Sequence, residues 1–447
     1  MNSSFFAIFI SAAIIFLGCL TLTGAATCHS DDEAALLAFK AGITRDPLGI
    51  LSSWNKGTNC CSWMGVICTT GNRVTKLRIF GGGGGSLWGN ISPSLARLQY
   101  LEDVSFTYLK TTGSFPRFLF QLPKLHVIRI SHTHLSGPLP ANIGALSHVE
   151  DVALDNNRFH CSISNLTQLT WLDLAGNRLT CTIPDVFKSM TRLCGLDLSN
   201  NRFFGKLPMS IASLAPTVTF LDLSKNNLSG TIPNYLSKFG ELSTLDLSRN
   251  RFSGAVPFNF AYMTSIYHLK LSHNLLNGSF PTMKFVDGIG SLDLSYNQYH
   301  LEMIPEWITS SPAIYSLKLA KCGIKMRFDD WKPVRTESIK YLDFSENEIL
   351  GSPTSFLNQA TNLLEFKMSG NKLRFSLGEV KFTKSLRILD LSRNLLYGKV
   401  HASVAGLQQL NLSQNHLCGK LPSTNFSASV FGGNDCLCGS PLSSCKA

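Results

Sequence analysis

Residues 221–233 read LDLSKNNLSGTIP, and variants of this stretch recur from one end of the chain to the other. Aligned on Asn226, the same slot falls at Asn157, Asn177, Asn201, Asn250, Asn274, Asn297, Cys322, Asn347, Asn371, Asn394 and Asn415, mostly 23 to 25 residues apart with shorter steps of 20 and 21. Leu109 and Thr133 take the slot in degenerate upstream copies, and a first copy opens at Val74 before a glycine run. In LDLS the leucines alternate with polar residues, as in a short strand with one buried face. The asparagine carries donors and an acceptor that suit the loop backbone of the neighbouring copy, and the glycine and proline turn the chain back. One copy cannot bury its leucines alone. Stacked copies can, and each buried leucine then contributes roughly 1.5 to 3 kcal/mol.

The pattern L-x-x-L-x-L-x-x-N-x-L-x-G-x-I-P is a leucine-rich repeat. It predicts an α/β leucine-rich repeat solenoid with one parallel strand per repeat on its concave face. The 447 residues would otherwise suggest two or three globular domains, but a fixed period grows by stacking. The expected organisation is a signal peptide over 1–26, an N-terminal cap over 27–73, about fifteen repeats over 74–422 and a C-terminal cap over 423–447.

The apolar run 5–22 ends in Gly24, Ala25 and Ala26 and reads as a secretory leader, although it lacks a basic start. A signal anchor is the competing reading, disfavoured by the small residues and Cys28 that follow. With no later apolar span and no lipidation motif, the expected product is secreted. Of 13 cysteines, Cys19 leaves with the leader, and an even number remains, concentrated at the two ends, as for disulfide staples in an oxidising compartment. N-glycosylation acceptors stand at Asn90, Asn165, Asn227, Asn277, Asn425 and Asn411. Asn411 is the doubtful one, because it sits inside the last strand.

Residues 31–51 read as an amphipathic cap helix ended by Pro47. A bond between the neighbours Cys60 and Cys61 would strain the backbone. Two pairings with Cys28 and Cys68 remain, of which Cys28 with Cys60 and Cys61 with Cys68 is preferred. Cys161 and Cys181 occupy equivalent positions one short repeat apart, within disulfide reach for stacked strands. At the far end Cys418 with Cys436 and Cys438 with Cys445 would close the last coil, whereas Cys194 and Cys322 have no evident mate.

The stretch from Asp31 to Cys68, DDEAALLAFKAGITRDPLGILSSWNKGTNCCSWMGVIC, resembles the plant-type N-terminal cap of extracellular leucine-rich repeat proteins. NHLCGKLP and GNDCLCGSPL resemble the end of polygalacturonase-inhibiting proteins and of secreted relatives labelled DNA-damage-repair/toleration-like. The resemblance implies a non-enzymatic recognition protein of the plant cell wall and apoplast, acting in defence on an acidic polysaccharide or a wall-degrading enzyme. It would imply about ten repeats, fewer than the pattern here. Receptor members of the wider family carry a membrane span and a kinase, so signalling would need a partner such as a receptor kinase ectodomain.

Along each strand the non-leucine positions face outward from the concave surface. Arg129, Lys270, Lys318 and Lys367 stand where the repeat offers Asp, while Lys225, Arg249, His273, Lys321 and Arg393 lie at strand ends. Trp171 and Tyr341 add aromatic surface. With a net charge of +11, such a basic groove suggests an acidic ligand, against the plainer reading of scattered solubilising charge. Nucleic acid is excluded by secretion and by the lack of a recognition module. The glycines 81–85 lack the placement of a phosphate cradle. His132, His134, His268 and His273, like Cys436 and Cys438, lack metal-ligand spacing. No catalytic or cofactor constellation emerges. An unrecognised wall-modifying enzyme is the competing class, and turnover of a wall polysaccharide by purified protein would reveal it.

Overall fold

The computed structural model describes residues 27–69, 71–82, 87–160, 167–284 and 288–445. The expected signal segment, part of the glycine run, Cys161 and Asn165 lie outside them. Each repeat forms a short concave strand, three residues long in most coils, whose central apolar residue is buried, as at Leu172, Leu196, Leu221, Leu245 and Leu269. Among the described residues these strands run from Val74–Phe80 to Gln409–Asn411 in strict parallel order, and the antiparallel cap strand Val66–Cys68 completes a 16-stranded concave sheet. Behind it a second, lateral set of short strands follows most of the slots, including Lys110–Gly113, His134–Pro138, Arg158–His160, Phe204–Gly205, Asn227–Thr231 and Arg251–Gly254. Turns of 3-10 helix such as Asn234–Lys238 form the convex side.

The coils are locked by asparagine. The Asn250 Nδ2 donates to the carbonyls of Leu223 in the preceding coil (2.9 Å), Leu247 (3.2 Å) and Ser248 (3.3 Å), and its Oδ1 accepts the Leu228 N–H at 3.0 Å. The same set recurs at Asn177, Asn201, Asn226, Asn274, Asn371 and Asn394. Asn434 in the C-terminal cap adds a last rung, donating to Leu412 and Phe431 and accepting from Leu417. At the Cys322 slot the thiol reaches Leu294 O and Ala320 O only at 3.6 and 3.7 Å. The residue before each slot turns into the left-handed region, with φ of 52° to 58° wherever it is not glycine, at Tyr108, His132, Lys225, Arg249, His273, Lys321 and Arg393 among others. That conformation costs a non-glycine residue free energy, and its recurrence shows how strongly the ladder dictates the turn.

The cap helix is Ser30–Ala41, ending at Gly42 and therefore short of the expected stop at Pro47. The chain leaves the helix early because Ile43–Arg45 pairs with Trp88–Gly89 as an edge of the lateral sheet. Asp32, fully buried, receives two bonds from the Arg73 guanidinium (2.8 and 3.0 Å) and the Val74 N–H (2.8 Å), which ties the helix to the first repeat strand. Disulfides join Cys28 to Cys60, Cys61 to Cys68, Cys418 to Cys436 and Cys438 to Cys445, with Cα separations of 5.3, 5.5, 4.4 and 4.9 Å. Cys181 is also disulfide-bonded. Cys194 and Cys322 are free thiols, the first exposed and the second buried.

Replacing Asn250 by alanine removes four hydrogen bonds at a site only 8% exposed. A buried polar group left unpaired costs about 1–3 kcal/mol. Asn250→Ala is therefore expected to lower the thermal midpoint clearly, and an unchanged melting curve would show the ladder to be dispensable.

Candidate ligand-binding surfaces

Because the concave strands are in register, equivalent side chains form continuous rows. One row reads Arg78, Ser105, Arg129, Ala153, Asp173, Asp197, Asp222, Asp246, Lys270, Asp293, Lys318, Asp343, Lys367, Asp390 and Asn411. The basic run expected here is thus interrupted at every step. Lys270, Lys318 and Lys367 each stand between two aspartates. Lys270 lies 3.3 Å from Asp246 and Lys367 lies 2.6 Å from Glu365. Burial works against the Lys367 ammonium, yet its bond to Glu365 and the fields of Asp343 and Asp390 hold it above the usual lysine value. Arg129 is paired with Asp151. From Lys270 onward the basic exceptions fall in alternate coils, and the ordinary repeat between them returns an aspartate to the row.

The same row contains an uninterrupted acidic stretch. Asp173, Asp197, Asp222 and Asp246 follow one another in adjacent strands, and each accepts the N–H of the residue two positions on at 2.8 to 2.9 Å. Burial, opposed by that bond and reinforced by Asp155, Asp197 and Asp151, pushes the Asp173 carboxyl up to about 7. Burial and the neighbouring Asp246 push Asp222 up to about 6, and burial also raises Asp197. Beside them the Trp171 ring lies across Gly195, where a Cβ would come within 2.1 Å of the indole, and meets Phe220 at 5.5 Å between centroids. Tyr267 lies across Gly290 in the same way, near Tyr315 and His268. Tyr341 follows Ser316 in its row, apart from the Trp171 patch.

A run of unpaired cations lies on another face. The residue after each ladder slot opens the lateral face, and there the chain places Lys110, His134, Arg158, Arg178, Arg202, Asn227 and Arg251 in successive coils. Arg158, Arg178, Arg202 and Arg251 are exposed, and among the described residues none of them forms an ion pair. Lateral strands from Lys110–Gly113 to Leu275–Gly278 contain no Asp or Glu. Burial and then the fields of Arg158 and Lys110 lower the His134 pKa, so the three coils sense one another electrostatically. Lys225 and Arg249, expected at strand ends, occupy the turn that borders this stripe, whereas Arg393 is taken by Glu346. The stripe was readable as N-R recurring at 157–158, 177–178, 201–202 and 250–251.

Of the acceptor asparagines, Asn90, Asn227, Asn277 and Asn425 are exposed, while Asn411 lies on the concave sheet with its Oδ1 accepting from the Ser413 N–H and Oγ. His132 stacks on Tyr108 and His273 on Tyr296. Cys28, Cys60 and Cys61 lie close enough to share a metal, but all three are in disulfides.

The Asp173 carboxyl carries a signed pH prediction. Its folded pKa of about 7 lies above the ordinary carboxylate value of 3.8, so its protonation stabilises the fold below the lower value and that contribution is lost as pH rises through 7. Asp173→Asn is expected to raise the thermal midpoint most above pH 7 and to match wild type only below pH 3.8. An equal effect in both pH ranges would mean that the carboxyl is not held protonated.

A leucine rich repeat N-terminal domain model matches residues 29–69, and a leucine rich repeat model matches 168–190, 192–214, 217–239, 241–263 and 406–427. Leucine-rich repeat protein FLOR 1 of Arabidopsis thaliana is 39% identical over 119 residues, covering 26% of this chain and 35% of its own length. Polygalacturonase inhibitor 2 of the same plant is 36% identical over 111 residues, covering 24% and 34%. The matched stretches thus span about a third of these relatives. The plant peptide hormone receptor RGFR1 in complex with RGF2 superimposes with a TM-score of 0.52 over 78% of this chain and 69% of that one, at 24% identity, which speaks to fold alone. Matched cap, matched repeats and the stacked concave sheet together show a leucine-rich repeat N-terminal domain followed by leucine-rich repeats, and the chain is similar to plant leucine-rich repeat proteins.

Proposed function

We propose that the protein is a non-enzymatic extracellular recognition protein of the cell wall that binds an acidic wall polysaccharide, of the de-esterified pectin class, along its lateral basic stripe. The observation that carries this reading is the unpaired, exposed arginine at one position in three consecutive coils, Arg158, Arg178 and Arg202. Stacked strands are about 4.8 Å apart, so the stripe presents cations at regular short intervals, as a polymer with one carboxylate per sugar ring requires. End disulfides fit an oxidising compartment. Similarity to polygalacturonase inhibitors points to the same wall chemistry.

A second reading has its own support. The concave patch of Trp171 and Phe220 beside four aspartates suits a protein partner with a basic surface, either a wall-degrading enzyme or a receptor ectodomain. Aromatic anchors of this kind concentrate binding energy.

Exposed charge pairs contribute about 0.2–1 kcal/mol each. Arg158→Glu/Arg178→Glu/Arg202→Glu is therefore expected to weaken retention on polygalacturonate by about tenfold or more at low salt, with the difference shrinking as salt rises. The concave variant Arg129→Asp/Lys270→Asp/Lys318→Asp/Lys367→Asp serves as the comparison and is expected to lose much less. Full retention by the lateral variant, with a normal melting curve, would remove the stripe as the binding surface.

A further inference from the structure

The basic stripe has a gap. In the coil between Arg202 and Arg251 the position after the ladder residue is Asn227, and Asn227-Leu228-Ser229 is a glycosylation acceptor. Asn227 is exposed and opens the lateral strand Asn227–Thr231, which pairs with the preceding coil through Phe204 and with the next through Ser229 and Arg251. Its backbone N–H is held by Phe203 O at 2.7 Å, while among the described residues its side-chain amide makes no hydrogen bond. The carboxamide is thus presented on a rigid backbone and free for modification, unlike that of Asn411. Around it stand Arg202 and Lys206 in the coil before, Lys225 in its own turn, and Arg249 and Arg251 in the coil after.

We propose that Asn227 is a glycan site built into the basic stripe, where its sugar limits how far a polyanion can run along the face. The inference rests on the stripe being the anion-binding surface. A glycan is bulky and strongly solvated, and its attachment point lies one coil from each flanking arginine, staggered along the strands: Asn227 pairs with Phe204, two residues after Arg202, and Arg251 pairs with Ser229, two residues after Asn227. Its first sugar rings therefore cover the approach to Arg202 and Arg251 and divide the row. The segment from Lys110 to Arg178 stays open, and the segment beyond becomes a separate, shorter set. Long polyanions lose the most by this division, and short ones seated on the open segment lose little. Asn277, one coil beyond the last arginine of the row, has no such position.

The test uses full-length protein secreted from a eukaryotic host. Peptide mapping by mass spectrometry reads occupancy at Asn227, and binding to long polygalacturonate and to short oligogalacturonate is measured for wild type, Ser229→Ala, Ser229→Thr and Asn277→Gln. The expected result is an occupied Asn227 and a several-fold gain for Ser229→Ala on the long polymer but not the short one. Ser229→Thr, which keeps the acceptor, and Asn277→Gln should behave as wild type. An unoccupied Asn227, or no selective gain for Ser229→Ala, overturns the inference. The triple arginine variant separates the two levels. If it has lost binding while Ser229→Ala gains nothing, only the glycan inference fails; if it still binds fully, the stripe fails and the glycan inference with it.

Discussion

The constraint on which the structure depends is the buried asparagine that ties each coil to the one before it. Its amide closes its own turn through two carbonyls and reaches across to a carbonyl of the preceding coil, while its oxygen holds an N–H there. An apolar core alone is tolerant of sliding, because leucine packs nearly as well one notch away. Directional bonds to fixed backbone atoms are not. They set the register of the whole sheet, and they explain why non-glycine residues such as Lys225, Arg249 and Tyr296 accept a left-handed turn just before the slot. Cys322, with its long contacts to Leu294 and Ala320, shows that one weak rung is carried by strong neighbours at Asn297 and Asn347.

Fixed register has an electrostatic consequence. It converts each repeat position into a row, so a residue preference at one position becomes a surface of one kind. Aspartate at the strand position gives a carboxylate ladder that resists ionisation because it is partly buried and self-repelling. Arginine after the asparagine gives a cationic stripe free of carboxylates. The net charge of +11 is therefore not spread evenly. An unbroken run of unpaired arginines lies along the lateral face, and the concave face is acidic in the middle and alternating beyond it.

Much of this was legible in the sequence. The period located the strands and rungs, and the cysteine spacing located the caps, because both are local or strictly repeating features. The charge pattern of the concave face was harder. Lys270, Lys318 and Lys367 are conspicuous as exceptions, but their meaning depends on Asp246, Asp293, Asp343 and Asp390 lying across the strand gap. That information sits in the ordinary repeats that a search for exceptions passes over. Asn434 was hidden because the cap lacks the leucine pattern around it, and the position of Trp171 across Gly195 depends on a missing Cβ one coil away. The early end of the cap helix at Gly42 comes from a partner strand 43 to 46 residues downstream, which no helix signal reports.

A solenoid of this kind is suited to ligands that repeat. Each exposed arginine offers little on its own, but the ladder holds successive arginines at a spacing that no ligand has to induce, so the ordering cost is already met in the free protein. Affinity then accumulates with the number of coils engaged, as in multivalent binding, and becomes a measure of ligand length. The disulfide caps matter to the same end. A terminal coil has only one neighbour, and fraying inward from either end would shorten the rigid row. Stapling the ends through Cys28–Cys60 and Cys418–Cys436 keeps the row at full length. On the proposed reading, what decides where an extended polyanion stops is a surface feature inside the row, which would give the single asparagine at 227 its leverage.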